Sequence, residues 1–530
     1  MNIYNHMKLA IIIILMGIMI AYSGQDDKDS KIPEPSIKDS INRVLSNIEL
    51  PNIPRDTINL IEFSGIAPDE EGSYDYAGDI NRAIEKLAKK GGGTLLFPHP
   101  EGKDKWIKQT RIYTCQGPIY LKSNIRLSME TSTKIQFKFD PQKYLIDGKG
   151  VLTRYEGTTL YTYSPCIRGF DVKNVAIVSA GGTGAMPVIN GDGESWQKWE
   201  QKGVFSQQAA GKTMSYKKLR EINNKDVPIR DRRFGNPEKD FLRPPLMQFM
   251  FCENILVDGV KLQESPFWVV HSVFSKSMTV RNLIYDAQVV NNDGVDVESS
   301  QYVLVENNMF DNHDDNVVMK AGRDQEGIFG ALVAGTELES IDFAQQYINN
   351  GRITAPTKDV VIRNNVFKGH YAICCGSEMS GGVKNVFALH NYANQDVNRA
   401  FYLKGSRKRG GIVENVIIKD MEVNRAGDAI VMSPNYDHDT TSQYPPVFKN
   451  IHIEDMTVNK VTDGIVIFGW SDRPLKNIYL KNINIKQATG TDFQYMNVNN
   501  LNLQNVKVNG KILDGHYSEV REDKLAPFKK

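Results

Sequence analysis

The sequence predicts an all-β fold, a single-stranded parallel β-helix with an N-terminal helical cap. Two observations predict the solenoid and one the cap. A short motif, Asn or another polar residue followed by alternating apolar residues, recurs along most of the chain at intervals of mostly about 23 to 30 residues. The runs are too rich in β-branched residues to supply a helix per turn, and they lack the fixed leucines of a leucine-rich repeat. Ahead of the first copies, residues Asp79 to Lys90 place Ile80, Ala83, Ile84 and Leu87 on one helical face. A helix there would cover an open end that otherwise exposes apolar core and unpaired strand edge.

Taken in order, residues 1–24 carry Lys8, the apolar run Leu9 to Ala21 and then Tyr22-Ser23-Gly24. This is the plan of a secretory signal, too short for an ordinary spanning helix. The expected location is secreted or periplasmic, with no membrane insertion of the mature chain. Residues 25–57, rich in Asp, Lys, Ser and Pro, read as a linker with one weakly amphipathic piece from Ile37 to Leu50. Residues 58–530 form one domain. It opens with Ile58 to Phe63 as a strand, then the helix, then the strand that follows Gly91-Gly92-Gly93.

The repeats begin with Ser123-Asn-Ile-Arg-Leu127 and Lys173-Asn-Val-Ala-Ile177. They run through Gln301-Tyr-Val-Leu-Val305 and Lys358-Asp-Val-Val-Ile362 to Lys476-Asn-Ile-Tyr-Leu480 and Asn499-Asn-Leu-Asn-Leu503. The β-helix is expected from Asn124 to about Asn509. Two long excursions, Gly191 to Leu242 and Gly322 to Pro356, are expected to be structureless walls or lids on a regular scaffold. A β-propeller would need longer blades with a different signature.

Lys plus Arg number 64 and Asp plus Glu 63, so the balance points neither to nucleic acid nor to an anionic membrane surface. Any acidic ligand must be held locally. The five cysteines are few, odd in number and without zinc spacing, and read as buried small apolar residues. No metal or other cofactor is expected.

The chemistry is expected in Val289 to Gly322. Asp293 lies in Asn291-Asn292-Asp293-Gly294, and Asp314-Asp315 follows about 21 residues later, one coil on. Asn-Asp-Gly is also a common turn signal, and Asp-Asp often only solvates a loop. Register decides between these readings, because residues one coil apart stack about 4.8 Å apart. With the second excursion looped out, His370 falls one coil further and Lys404 another. Two carboxylates on neighbouring coils are expected to stand the roughly 6.5 to 9.5 Å apart that admits a water, as in an inverting glycosidase. Crowding three carboxylates raises the pKa of at least one, so one can donate a proton. Glu298, Arg323 and Glu378 lie near enough to meet sugar hydroxyls.

These residues resemble glycoside hydrolase family 28, the polygalacturonase family of right-handed β-helices. Asn291-Asn292-Asp293-Gly294 matches its Asn-Thr-Asp-Gly motif, Asp314-Asp315 its Asp-Asp motif and Gly369-His370-Tyr371 its Gly-His-Gly motif. Gly376 to Val386, Leu242-Arg243-Pro244-Pro245 and Ser265-Pro266-Phe267-Trp268 are similar to its bacterial exo-acting branch. The resemblance implies an inverting hydrolase of α-galacturonosyl linkages in pectin, releasing sugars from a chain end; the chain is expected to be a monomer. It implies Asp314 as general acid, Asp293 and Asp315 as activators of water, and His370 as a neighbour tuning the acid. Asn291, Arg323, Glu378, Tyr402 and Lys404 are the expected substrate contacts. The chain departs from the pattern at His313, at Tyr371 and at Tyr402-Leu403-Lys404, which stands for Arg-Ile-Lys. Lys404 would then grip a uronate without its arginine, so weak activity is expected on plain homogalacturonan and better activity where the sugar on the leaving-group side is neutral, such as rhamnose, or otherwise decorated. A pectin lyase or a non-catalytic carbohydrate-binding β-helix are the alternative readings.

Overall fold

A computed structural model of the chain describes residues 36–102, 109–203, 214–225, 227–332, 342–349, 352–353, 355–395 and 397–521. It divides into two units, residues 1–43 and 44–530. The described part of the first is the start of helix Ile37–Ser46. The expected signal segment lies outside the described residues. In the second unit, Glu49 donates its N–H to Ser277 Oγ at 2.6 Å, and Ser277 donates back to Glu49 O. The expected linker is therefore fastened to the strands at that point.

The second unit is a right-handed parallel β-helix. Successive coils pair in parallel and in register. One column runs Ile125, Val175, Ile255, Met278, Val303, Val360, Val386, Val416, Ile451, Ile478 and Leu501. Every member is buried. Each is the first apolar residue of a repeat motif, so the alternation in the sequence is the inward-facing column of the solenoid.

The polar residue before that column has a physical cause as well. Asn124, Asn174, Asn254, Ser277, Tyr302, Asp359, Asn385, Asn415, Asn450, Asn477 and Asn500 all have φ between 55° and 68°. Among non-glycine residues, Asn and Asp tolerate this left-handed corner best. The corner also stacks the amides: Asn174 Nδ2 donates to Asn124 Oδ1 at 2.9 Å, and Asn477 Nδ2 to Asn450 Oδ1 at 2.9 Å. A second, fully buried ladder joins Asn308, Asn365 and Asn391, where Asn308 Nδ2 donates to Asn365 Oδ1 at 3.0 Å and Asn365 Nδ2 to Asn391 Oδ1 at 3.1 Å.

Several expected elements differ. The strand expected at Ile58–Phe63 ends at Asn59, whose side chain accepts from the N–H groups of Ile61 and Glu62 and starts helix Leu60–Ser64. Capping overrides the alternation there. The next helix is Ala77–Ala88, and its Ile80, Ala83, Ile84 and Leu87 are buried in the main core with Leu95 and Ile125. The excursions are not structureless. The first holds helices Gly193–Glu200 and Met214–Asn224, because Trp196 and Trp199 pack edge-on among Phe139, Tyr144 and Tyr163. The second holds helices Asp324–Phe329 and Asp342–Gln345 and a three-stranded antiparallel sheet. An antiparallel hairpin, Val151–Tyr155 with Thr158–Thr162, was hidden by its lack of a repeat motif.

A buried ion network fastens these additions to the coils. Glu326, from the second excursion, pairs with Arg154 of the hairpin and with Arg232 of the first excursion. Arg154 Nε also donates to Glu298 Oε1 at 2.7 Å, and His271 Nε2 lies 3.0 Å from Glu298 Oε2. Burying charges is costly unless each is paired, and here each has partners. Burial opposes the shift, but Arg154 and His271 hold the Glu298 carboxyl down at about 2.

Candidate active site

Asp293 sits in the loop ahead of strand Val295–Glu298, and Asp314 and Asp315 lie within strand Met309–Lys320. The loop is gripped by Arg243, which donates to Pro266 O at 2.7 Å, Val290 O at 2.8 Å and Asn291 Oδ1 at 3.0 Å. Asn292 Nδ2 donates to Ser265 O and Phe267 O. Gly294 is required sterically, since a Cβ there would meet Asn316 O and stand 2.8 Å from the Phe310 ring.

Consecutive strand residues ordinarily face opposite sides. Here the ladder pairs Asn312 with Gly369 but Asp315 with Tyr371, so strand Met309–Lys320 carries one extra residue. Such a bulge re-aims a side chain. Asp314 and Asp315 consequently both join Asp293, and each of the three places a carboxylate oxygen within 4.8 Å of the others. Gly369 has φ +99°, and a Cβ would collide with Asn312 O, which accounts for glycine ahead of His370.

The three carboxylates are not equivalent. The Asp314 side chain is 24% exposed, whereas those of Asp293 and Asp315 are 3% and 1% exposed. Asp315 receives Lys404 Nζ on both oxygens, at 2.9 and 2.8 Å, and Cys374 Sγ donates to its Oδ1 at 3.5 Å. Asp293 faces Lys320 Nζ at 3.1 Å, with Asp296 at 3.5 Å from the same ammonium. Burial raises the carboxyls of Asp293 and Asp296 well above the usual range, and Lys320 only partly opposes it. At Asp314 burial pushes the same way but loses. His370 Nδ1 lies 3.4 Å from Oδ1, and with the Lys404 charge it holds Asp314 down at about 2. Burial thus pushes the Asp293 carboxyl up, whereas His370 and Lys404 hold that of Asp314 down.

The distances revise one expectation. Oxygens within 4.8 Å are closer than the roughly 6.5 to 9.5 Å of an inverting pair. The coils carrying Asp293 and Asp315 are adjacent in the ladder, and the bulge brings Asp314 to the same side. The spacing therefore does not by itself argue for inversion. Among the described residues these three carboxylates are also the group able to hold a metal ion, although Lys320 and Lys404 already answer two of them.

The expected substrate contacts fare unevenly. Tyr402 lines a cavity of about 390 Å³ next to the trio, and its pKa is raised by burial to about 12. Lys404 is nearby, but both its bonds go to Asp315 rather than into open space. Glu378 is buried among Lys320 at 3.3 Å, Arg323 at 2.9 Å and Arg409 at 3.0 Å, cations that override burial and hold it well below the usual range. Arg323 also pairs with Glu156 at 3.2 Å, and burial with the neighbouring Arg409 and Arg220 lowers it to about 10. Asn291 is taken up by Arg243. Glu378, Arg323 and Asn291 are thus bound to protein partners that hold the site's frame.

Sequence reasoning missed Lys320, Asp296 and Arg399. Lys320 lies within the stretch expected to carry chemistry, and Val318, Met319 and Lys320 pair with Asp296, Val297 and Glu298 one coil earlier, a register that could have flagged it. Its ammonium also stands 4.2 Å from the Trp268 ring centroid. Arg399 gave no signal, because its position depends on which way one strand residue points.

Comparison with known proteins gives a consistent set. Residues 235–508 match the family model described as "Glycosyl hydrolases family 28". The crystal structure of a hyperthermoactive exopolygalacturonase from Thermotoga maritima is similar with TM-score 0.72 and 30% identity, over 92% of this chain and 99% of that one. A protein named "Probable polygalacturonase" from Vitis vinifera is 23% identical over 73% of this chain. An "Exo-poly-alpha-D-galacturonosidase" from Dickeya chrysanthemi is 24% identical over 38% of it. The chain spans 65% of the length of the Vitis protein and 30% of the Dickeya protein.

Proposed function

Because the chain belongs to glycosyl hydrolase family 28, we propose that it hydrolyses α-galacturonosyl linkages of pectic polysaccharides, releasing sugar from a chain end. The observation that carries this reading is the trio itself, one accessible carboxylate against two buried ones, each of the buried pair matched to a lysine.

Asp314 is the general acid, since it is the member that reaches the groove. His370 and Lys404 hold its carboxyl down at about 2. An arriving uronate brings negative charge and displaces water, and both raise a carboxyl pKa. Asp293 and Asp315 activate the water that attacks the anomeric carbon, and the outcome is inversion. His370, held against Asp314 and stacked on Tyr371 at 3.9 Å, tunes the acid. End-on action is supported by the two excursions, which the Glu326 network anchors beside the groove. Export is supported by the apolar run at residues 9–21, and among the described residues no helix is long and apolar enough to cross a membrane.

The experiment is product analysis on homogalacturonan, rhamnogalacturonan and short oligogalacturonides, with NMR of the first-formed anomer. A β-configured reducing end from an α-linked substrate is expected. An α product would overturn inversion, and no hydrolysis of any galacturonide would overturn the function. One observation favours a second reading. The close acidic trio could accept a divalent cation, as a calcium-dependent lyase would need. Unsaturated product ends, lost on chelation, would identify that chemistry instead.

A further inference from the structure

Beyond the trio, on the side of the following coils, lies the cavity that Tyr402 lines. Its other walls include Tyr371, Arg399, Asn435, Tyr436 and His438. Asp315, Tyr371, Arg399 and Asp428 occupy one column of the ladder. Arg399 therefore stands two strand spacings from Asp315, roughly 10 Å along the solenoid.

Its setting is that of a prepared anion reader. The side chain is 10% exposed, and Nε donates to Asp428 Oδ2 at 2.8 Å. The guanidinium lies over the Tyr402 ring at 4.2 Å and 5.3 Å from the Tyr371 centroid. Among the described residues the terminal nitrogens Nη1 and Nη2 have no hydrogen-bond partner. A guanidinium fixed through Nε and stacked on an aromatic ring presents two parallel N–H donors, the geometry that matches a carboxylate. Lys404 does not compete for the role, because Asp315 takes its ammonium on both oxygens.

We propose that Arg399 binds the carboxylate of the uronate unit seated in this cavity and is the residue that makes the enzyme select an acidic sugar beside the scissile bond. The inference rests on the pectic reading above. It also revises what Tyr402 implies. The tyrosine does not leave the cavity without a guanidinium; it becomes the platform on which one lies, and digalacturonate becomes a good substrate.

The test uses the full chain with Asp314→Asn to hold unreacted ligand. Calorimetric titrations compare digalacturonate with the neutral α-linked digalactose. Adding Arg399→Gln is expected to weaken digalacturonate binding about ten- to a hundredfold, the loss of a charge-assisted contact, while leaving digalactose unchanged. Arg399→Lys should fall between, keeping the charge without the fork. Because Arg399→Gln removes the guanidinium paired with the buried Asp428, Arg399→Gln/Asp428→Asn is measured beside it and should show the same selectivity loss with a native thermal midpoint. Equal weakening for both ligands, or none for either, overturns the proposal. If the Asp314→Asn protein binds no galacturonide while Arg399 is still in place, it is the pectic reading that has failed, and the inference falls with it.

Discussion

A single carboxylate proton is the smallest quantity on which the chemistry depends. In the roles proposed for them, Asp314 and Asp293 each supply an acid or base contribution worth roughly 10²- to 10⁴-fold, so each Asn variant should lose that much turnover on oligogalacturonides. Circular dichroism should stay native for Asp314→Asn, whose side chain reaches solvent. Near wild-type kcat in either variant would sink the assignment. Glu298 offers a second residue-scale test, with a definite sign. Its folded pKa of about 2 lies below the ordinary 4.5, so its ion pairs stabilise the protein fully above about pH 4.5. That contribution fades as pH falls towards 2 and is on the order of 3 kcal/mol. Urea midpoints of wild type and Glu298→Gln should therefore differ most near neutrality and converge between about pH 4.5 and 2. A gap that stays constant across that range would show that the carboxylate's charge is not what matters.

At the scale of one coil, the left-handed corner sets the residue. Tyr302 is the one bulky member among Asn, Asp and Ser at the equivalent corners, with φ +57°. A non-glycine residue in this region costs roughly 1–2 kcal/mol, and Asn less than most. Tyr302→Asn should consequently raise the thermal midpoint, with a gain on the order of 0.5–1 kcal/mol, without altering activity. A lower midpoint would mean that the partly buried ring contributes more than the corner costs. The bulge in strand Met309–Lys320 belongs to this scale too. It turns an Asp-Asp pair that alternation would split into two side chains of one site.

For the whole molecule the deciding features are the additions to the solenoid. A bare β-helix presents an open groove that can bind the middle of a polymer. Here the hairpin and both excursions are bound together through Glu326 beside strand Val295–Glu298. On homogalacturonan, reducing ends should therefore accumulate while viscosity falls slowly. A rapid early viscosity drop would mean internal cleavage. Glu326→Gln, which leaves Arg154 and Arg232 buried with a weaker partner, should cost a few kcal/mol of stability and shift the ratio of viscosity loss to reducing ends towards internal cleavage.

The sequence by itself determined the solenoid, because one turn of a β-helix is local. A left-handed corner wants Asn, an inward column wants β-branched apolar residues, and both repeat at the coil length, so Lys173-Asn-Val-Ala-Ile177 and its successors could be read directly. It also placed Asp293 and Asp314-Asp315 one coil apart, with His370 one further once an excursion is set aside. What required tertiary structure were contacts that carry no period. The cap at Asn59 replaced half a strand, the tryptophans of the first excursion found aromatic partners distant in sequence, and a one-residue bulge brought Asp314 and Asp315 to one side. The partners of the cations were equally invisible. Whether Lys404 answers a substrate or Asp315, and whether a guanidinium lies over Tyr402, depends on side-chain direction across coils, which a register predicts to the residue but not to the atom.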